Sequence, residues 1–223
     1  MGSWFMISQY KAIIFDWDGT LVDSNDWVLA AHNHVRKIMN RPLWTKEDIF
    51  GHSSLSARET YPREYGSESG KAMEILYDYV KKHNQDSAKP YPHSKNVLQL
   101  LQDQKIPMGV VSNKRHEPLN EVIDYLEWRH FFKTAIGAGH AERDKPHSAP
   151  LFKALFDIHP QLKSEEVLYV GDSETDLLTA KNAGCDMAFV QSDKPRPDLI
   201  EKYQPQYAWD TLEPLLEAAQ KAA

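Results

Sequence analysis

The sequence predicts an α/β fold, a parallel sheet core carrying an inserted block of helices. Three observations lead there. Short apolar runs at Ala12–Phe15, Pro107–Val111 and Val167–Val170 each end abruptly at polar or turn residues, the pattern of strands buried on both faces. From Val110 to Val190 such runs alternate with segments of helical periodicity, which is how βαβ units read. Between Asp23 and Pro90 only helical spacing is found. That block is expected to leave the sheet after its first strand and to return at Lys89-Pro90-Tyr91-Pro92, a stiff linker by composition.

The elements follow in chain order. Ala12–Phe15 is the first strand. In the insertion, residues 26–39 place apolar side chains at helical spacing, and Thr45-Lys46-Glu47-Asp48 has the form of a capping box. Residues 67–82 put Met73, Leu76, Tyr77 and Val80 on one helical face. Pro107–Val111 is a strand stopping at Ser112-Asn113, with a helix from Glu117 to Tyr125 behind it. Lys133–Ile136 is a short strand, and Ala149–Phe156 a helix with Pro150 in its first turn, where a missing N–H is tolerated. Val167–Val170 ends at Gly171-Asp172. The helix Thr175–Ala183 is closed by Gly184, and Met187–Val190 is a further strand.

Composition narrows the classes. A chain of 223 residues, 41% apolar and 26% charged, suits a soluble protein with a sizeable core. The net charge of −6 argues against nucleic acid as the main partner, yet permits a small phosphorylated molecule held in a local positive pocket. Cys185 is the single cysteine, so no intrachain disulfide can form, and a reducing, cytoplasmic setting is expected. No apolar run approaches the roughly 20 residues that span a bilayer. Met1–Met6 has neither a signal-peptide pattern nor a myristoylation pattern, so no membrane partner is expected.

Four loops carry chemistry, each at the carboxyl end of an expected strand, where ligands bind in open α/β sheets. In the first, Asp16 and Asp18 flank Trp17 ahead of Gly19-Thr20. One carboxylate can attack phosphorus and the other can act as acid and base. Alone, Asp-Gly after a strand is an ordinary turn. The second loop is Ser112-Asn113-Lys114, whose hydroxyl and amides can hold phosphate oxygens. The third is Arg143-Asp144-Lys145-Pro146, where the Lys145 ammonium can neutralise both a phosphate and a nucleophilic carboxylate. The fourth is Gly171-Asp172-Ser173-Glu174-Thr175-Asp176. There Asp172 can offer oxygen to Mg²⁺, and Asp176 either supports the site from behind or caps the next helix. Together the loops supply a nucleophile, an acid/base, a phosphate clamp, a cation and a metal ligand, which singly each would not establish.

These residues resemble the haloacid dehalogenase (HAD) superfamily, within its phosphoglycolate-phosphatase-like branch. The match rests on Asp16-Trp17-Asp18-Gly19-Thr20-Leu21-Val22-Asp23-Ser24, Ser112-Asn113-Lys114, Lys145-Pro146 and Gly171 to Asp176, with Pro90-Tyr91-Pro92 and Ala183-Gly184 in accord. The resemblance implies a Rossmann-like core over residues 1–22 and 91–223 and a helical cap over residues 23–90. It also implies a Mg²⁺-dependent phosphatase working through an aspartyl phosphate. By position, Asp16 would be nucleophile and metal ligand. Asp18 would be acid/base and bind metal through its main-chain carbonyl. Gly19, Thr20, Ser112, Asn113 and Lys145 would bind phosphate, Lys145 also serving catalysis. Asp172 would complete the metal site with Asp176 behind it. The partner expected is a small phosphorylated substrate, and the chain a monomer or weak homodimer.

Departures and rivals are specific. His93 stands where relatives commonly have glycine, and Phe50-Gly51-His52-Ser53-Ser54-Leu55 keeps a glycine turn while adding His52, for which no role can be assigned. Dehalogenases lack the second aspartate and phosphonate-cleaving relatives replace it with alanine, so Asp18 argues against both. Mutases of the β-phosphoglucomutase type carry a histidine where Val28 stands here. A catalytically silent phosphate sensor would be favoured by loss of Asp16, Asp18, Lys145 or Asp172, and all four are present. Zinc is disfavoured because His32 and His34 face different sides of one helix and no Cys-rich spacing exists. Trp27, Trp44, Trp128 and Trp209 read as packing groups, since no basic stripe accompanies them.

Overall fold

The computed structural model describes residues 5–48, 55–192 and 195–222. Its strands are β1 (Ala12–Phe15), β2 (Met108–Arg115), β3 (Thr134–Ala138), β4 (Val167–Gly171), β5 (Asp186–Val190) and β6 (Tyr207–Trp209). They form one sheet in the order β3-β2-β1-β4-β5-β6, every neighbouring pair parallel. The helices are α1 (Phe5–Ser8), α2 (Asn25–Ile38), α3 (Ala57–Tyr65), α4 (Ser69–His83), α5 (Ser94–Asp103), α6 (His116–Tyr125), α7 (Ala149–Ile158), α8 (Glu174–Ala183), α9 (Pro197–Tyr203) and α10 (Glu213–Ala222).

Alternation along the strands builds a core on each face of the sheet. Ile13 and Phe15 of β1 point to one side, where Leu98, Leu101, Val122 and Leu215 from α5, α6 and α10 meet them. Ala12 and Ile14 point to the other, against Leu151, Leu155, Leu177 and Leu199 from α7, α8 and α9. Every residue of β1 is buried, which explains a continuous apolar run where a half-exposed strand would alternate. The strand order turns back between β1 and β4, and the crevice at that turn is where the loops of interest emerge.

The segment between β1 and α5 is helical throughout its described residues, apart from short connections. Helices α2, α3 and α4 close around their own small core of Ala31, Val35, Tyr61, Tyr65, Ala72 and Leu76. The Thr45 capping box forms as expected, Asp48 N–H donating to Thr45 Oγ1 at 3.3 Å and Thr45 N–H to Asp48 Oδ2 at 2.8 Å. The chain leaves and returns side by side. Val22 and Pro90 form an antiparallel bridge, Asp23 N–H donates to Lys89 O (2.7 Å) and Tyr91 N–H to Leu21 O (3.0 Å). His93 sits at φ 72°, a left-handed conformation that starts α5 and that glycine adopts without strain. His52 and its neighbours 50–54 lie outside the described residues.

Several elements differ from expectation: β3 ends at Ala138, two residues past Ile136, and α1, α5, α9 and α10 have no counterpart in the sequence reading. The second strand runs past Val111 to Arg115, because after a register shift the chain pairs again at Arg115 with Ala138 of β3. Strand β6, three residues at the sheet edge, carries too little apolar pattern to be read locally. Pro62 within α3 likewise obscured that helix.

Candidate active site

Asp16 directly follows β1, and its N–H donates to Val170 O at 2.8 Å, which ties the first loop to the end of β4. The same pairing brings Asp172 opposite. Gly19 makes this approach possible: it has φ 86°, and a Cβ there would lie 2.3 Å from Asp172 Oδ2. Thr20 Oγ1 donates to Asp172 Oδ1 at 2.7 Å, so the Gly19-Thr20 turn and Asp172 hold each other. Asp18 lies apart from that contact, its Oδ1 accepting from Ser24 Oγ at 2.6 Å.

Lys145 arrives from the loop after β3. Its Nζ is 2.8 Å from Asp16 Oδ1, 2.7 Å from Asp176 Oδ1 and 3.1 Å from the Tyr169 hydroxyl. Asn113 positions it: the carboxamide donates to Lys145 O and accepts from Lys145 N–H, both at 3.1 Å. That side chain is thereby committed to the lysine's main chain. The hydroxyl of Ser112 is buried nearby and accepts from Lys114 N–H at 3.1 Å.

Asp176 does both things the sequence left open. With Ser173 it forms the capping box of α8, its Oδ2 accepting from Ser173 N–H at 3.0 Å and Ser173 Oγ at 2.6 Å. Its Oδ1 meanwhile meets Lys145 and the hydroxyl of Tyr169 (2.9 Å). Tyr169 is the contributor that sequence reading missed, because a tyrosine inside an apolar strand reads simply as core.

Carboxyl oxygens of Asp16, Asp172 and Asp176 lie within 4.8 Å of one another. Three acids share one ammonium. Burial, and then the neighbouring Asp176, push the Asp16 carboxyl up to about 7 despite Lys145. Asp172 is raised well above the usual carboxylate range by burial, Asp176 and Asp16. For Asp176 burial acts upward too, but Lys145 and its hydrogen bonds hold it below its ordinary value. Lys145 loses by burial and gains more from its two carboxylates, so it stays charged. Asp16 Oδ1 is buried with the Lys145 ammonium 2.8 Å away. An oxygen-only cluster with excess negative charge fits a divalent cation. Asp18 contributes no carboxyl oxygen to this group.

A second network joins the helical insertion to the same loop. Asp144, adjacent to Lys145, accepts from Ser56 Oγ (2.7 Å), Arg58 Nε (3.1 Å), Arg58 Nη2 (3.0 Å) and Gly139 N–H (2.9 Å). No local sequence signal marks it. A cavity of about 600 Å³ opens above Asp16, Asp18, Ser112, Lys145 and Asp172, roofed by α2 and α4.

A family model described as haloacid dehalogenase-like hydrolase matches residues 13–190. This chain belongs to that family. Among its relatives, the pyrophosphatase PpaX of Anoxybacillus flavithermus is 28% identical over 206 residues, 92% of this chain and 95% of that one. A haloacid dehalogenase-like hydrolase from Bacteroides fragilis superposes with a TM-score of 0.83 at 22% identity, covering 91% of this chain and 98% of its own. A predicted phosphoglycolate phosphatase from Haemophilus somnus gives 0.81 at 23% identity over 95% and 98%. At those identities the two structures establish the fold, an α/β sheet with inserted helices as the sequence predicts. The chain is a haloacid dehalogenase-like hydrolase. No helix among the described residues is long and apolar enough to cross a membrane.

Proposed function

We propose that the chain is a Mg²⁺-dependent phosphatase that hydrolyses a small phosphomonoester through a phosphorylated Asp16. The observation that carries the reading is the buried Asp16 carboxylate, 2.8 Å from the Lys145 ammonium and grouped with Asp172 and Asp176. Magnesium would be held by Asp16, Asp172 and the main-chain carbonyl of Asp18, and would neutralise charge on the transferring phosphoryl oxygens. The names of the relatives, a pyrophosphatase and a phosphoglycolate phosphatase, support a small phosphorylated substrate.

The chain's own residues do the rest. A carboxylate oxygen of Asp16 bonds to phosphorus as the ester P–O bond breaks, and Asp18 gives its proton to the departing alcohol oxygen. Asp18, now ionised, takes a proton from the water that attacks phosphorus. That attack releases phosphate and restores the Asp16 carboxylate. Ser24, bonded to Asp18 Oδ1, holds the acid in one orientation. Lys145 offsets the negative charge on the nucleophile and the phosphoryl group, a contribution typically worth about 10²–10³ in rate when one such donor is removed. Ser112 would bind phosphate through its hydroxyl. With the Thr20 hydroxyl held by Asp172 and the Asn113 carboxamide by Lys145, the part of Gly19, Thr20 and Asn113 falls to main-chain groups.

Residues 23–90 act as a cap over a core of residues 1–22 and 91–223, closing to exclude water during attack and opening for release. The side-by-side crossings at Val22 and Pro90 support that division. A cytoplasmic monomer or weak homodimer is the setting in which we place it. The deciding experiment is Asp16→Asn. Mg²⁺-dependent phosphate release should fall more than about 10³-fold, as for other unit-acting catalytic groups, with the far-UV spectrum unchanged. Activity within tenfold of the parent would overturn the nucleophile.

A further inference from the structure

We infer that the phosphomonoester taken here has a leaving alcohol bearing a flat, uncharged aromatic ring, as in a nucleoside or an aryl alcohol, and no second anionic group. The inference rests on the phosphatase reading above and extends it to the leaving-group side. Space comes first. A cavity of about 600 Å³ belongs to the class that holds drug-sized molecules.

On α2 and α4 the cavity wall is mainly apolar, with Asn25 and His32 among it. Trp27, Val28 and Ala31 of α2 and Met73, Tyr77 and Val80 of α4 line it, the latter three at i, i+4 and i+7 on one helical face. Most of them stand beside the stripe (Ala31, Val35, Ala72, Leu76) that builds the small core of the insertion. An amphipathic helix ordinarily needs one apolar stripe and turns a polar face to water. Here part of the apolar surface is turned to the cavity. Two of its members are rings that carry a cation on one face, Lys114 Nζ 4.3 Å over the Trp27 ring and Arg115 Cζ 4.3 Å over that of Tyr77. A flat partner would meet the edges of these rings or take the place of the long, movable cation side chains on their faces.

Charge favours a substrate without a second anion. Pyrophosphate or phosphoglycolate would present a second anion to the leaving-group side. The cations there among the described residues are already engaged. Arg58 is bonded to Asp144, Arg115 meets Glu117 at 2.8 Å, Arg196 meets Asp198 at 2.8 Å, and Lys114 lies between Asp18 (3.9 Å) and Trp27. A hexose would set part of its hydroxyls against the apolar side chains of α2 and α4, and His32, which α2 turns inward, is bonded to the Tyr61 hydroxyl.

The test compares phosphate release, with Mg²⁺, from adenosine 5′-monophosphate, phenyl phosphate, glucose 6-phosphate, phosphoglycolate and pyrophosphate. The two ring-bearing esters should exceed the other three in kcat/KM by about tenfold or more, the discrimination a fitted apolar pocket commonly supplies. Preference between those two tells a nucleoside from a simple aryl alcohol. Trp27→Ala and, independently, Tyr77→Ala should lower the ratio of ring-bearing ester to phosphoglycolate about tenfold, chiefly through KM, in variants checked for folding by circular dichroism. A preference for pyrophosphate, phosphoglycolate or the hexose, or an unchanged ratio in both folded variants, overturns the ring while phosphate release still upholds the phosphatase. Absence of release from all five compounds instead overturns the phosphatase reading, and the ring preference falls with it.

Discussion

Lys145 stands among three carboxylates, and its ammonium alone cannot offset them. Each acid was recognisable in the sequence because it directly follows a strand or opens a helix, where an ionisable group has no packing purpose. Their mutual distances were not, since they depend on how close two loops approach. Gly19 sets that approach. A methyl at this position must displace the Asp172 carboxylate, and φ 86° is strained for any residue with a Cβ. Gly19→Ala should therefore reduce phosphate release at least about 10²-fold, the scale set by a misplaced site. It should also lower unfolding stability by about 1–3 kcal/mol, the cost of a residue held in a sparsely populated conformation. Steady-state kinetics and urea unfolding read the two effects separately.

Among the described elements, apolar runs and helical periodicity located β1, β3, β4 and β5 and the helices α2, α4, α6, α7 and α8 to within about two residues, because burial on one or both faces imprints those periods. The exceptions are β6, which is short, β2, which resumes pairing at Arg115 after a register shift, α3, which contains Pro62, and α1, α5, α9 and α10, which have no sequence reading. The sequence marks His93 as standing where relatives commonly have glycine, and the geometry adds why glycine suits the place. Histidine at φ 72° carries a strain that glycine lacks, partly offset by the greater freedom glycine has in the unfolded chain. His93→Gly is expected to raise stability by about 0.5–1 kcal/mol. The check is a higher urea midpoint at unchanged slope, and a lower midpoint would mean the imidazole makes a contact worth more than the strain.

For the whole molecule, the acidic trio should make stability depend on a cation. Three buried acids with one ammonium favour the folded state less than the same group with a divalent ion bound, so Mg²⁺ should stabilise by mass action. At a hundred times its dissociation constant the gain is about 2.7 kcal/mol. For a chain of this length that corresponds to a rise in Tm of roughly 5–10 °C. Thermal melts with Mg²⁺ and with a chelator measure it, and Asp172→Asn should abolish the difference. Equal melting temperatures in the parent protein would remove Mg²⁺ from the site.

By itself the sequence determined the α/β class, the helical insertion and the residues able to carry phosphoryl chemistry, since periodicity and residue type act over a few positions of chain. Only the tertiary structure decided that Asp176 joins Asp16 and Asp172, that Tyr169 reaches Lys145, and that Arg58 grips the loop beside it. It also decided which faces of α2 and α4 look into the cavity. The reason is separation. Thr20 and Asp172 are 152 positions apart in the chain, and their 2.7 Å contact exists only because β1 and β4 pair side by side.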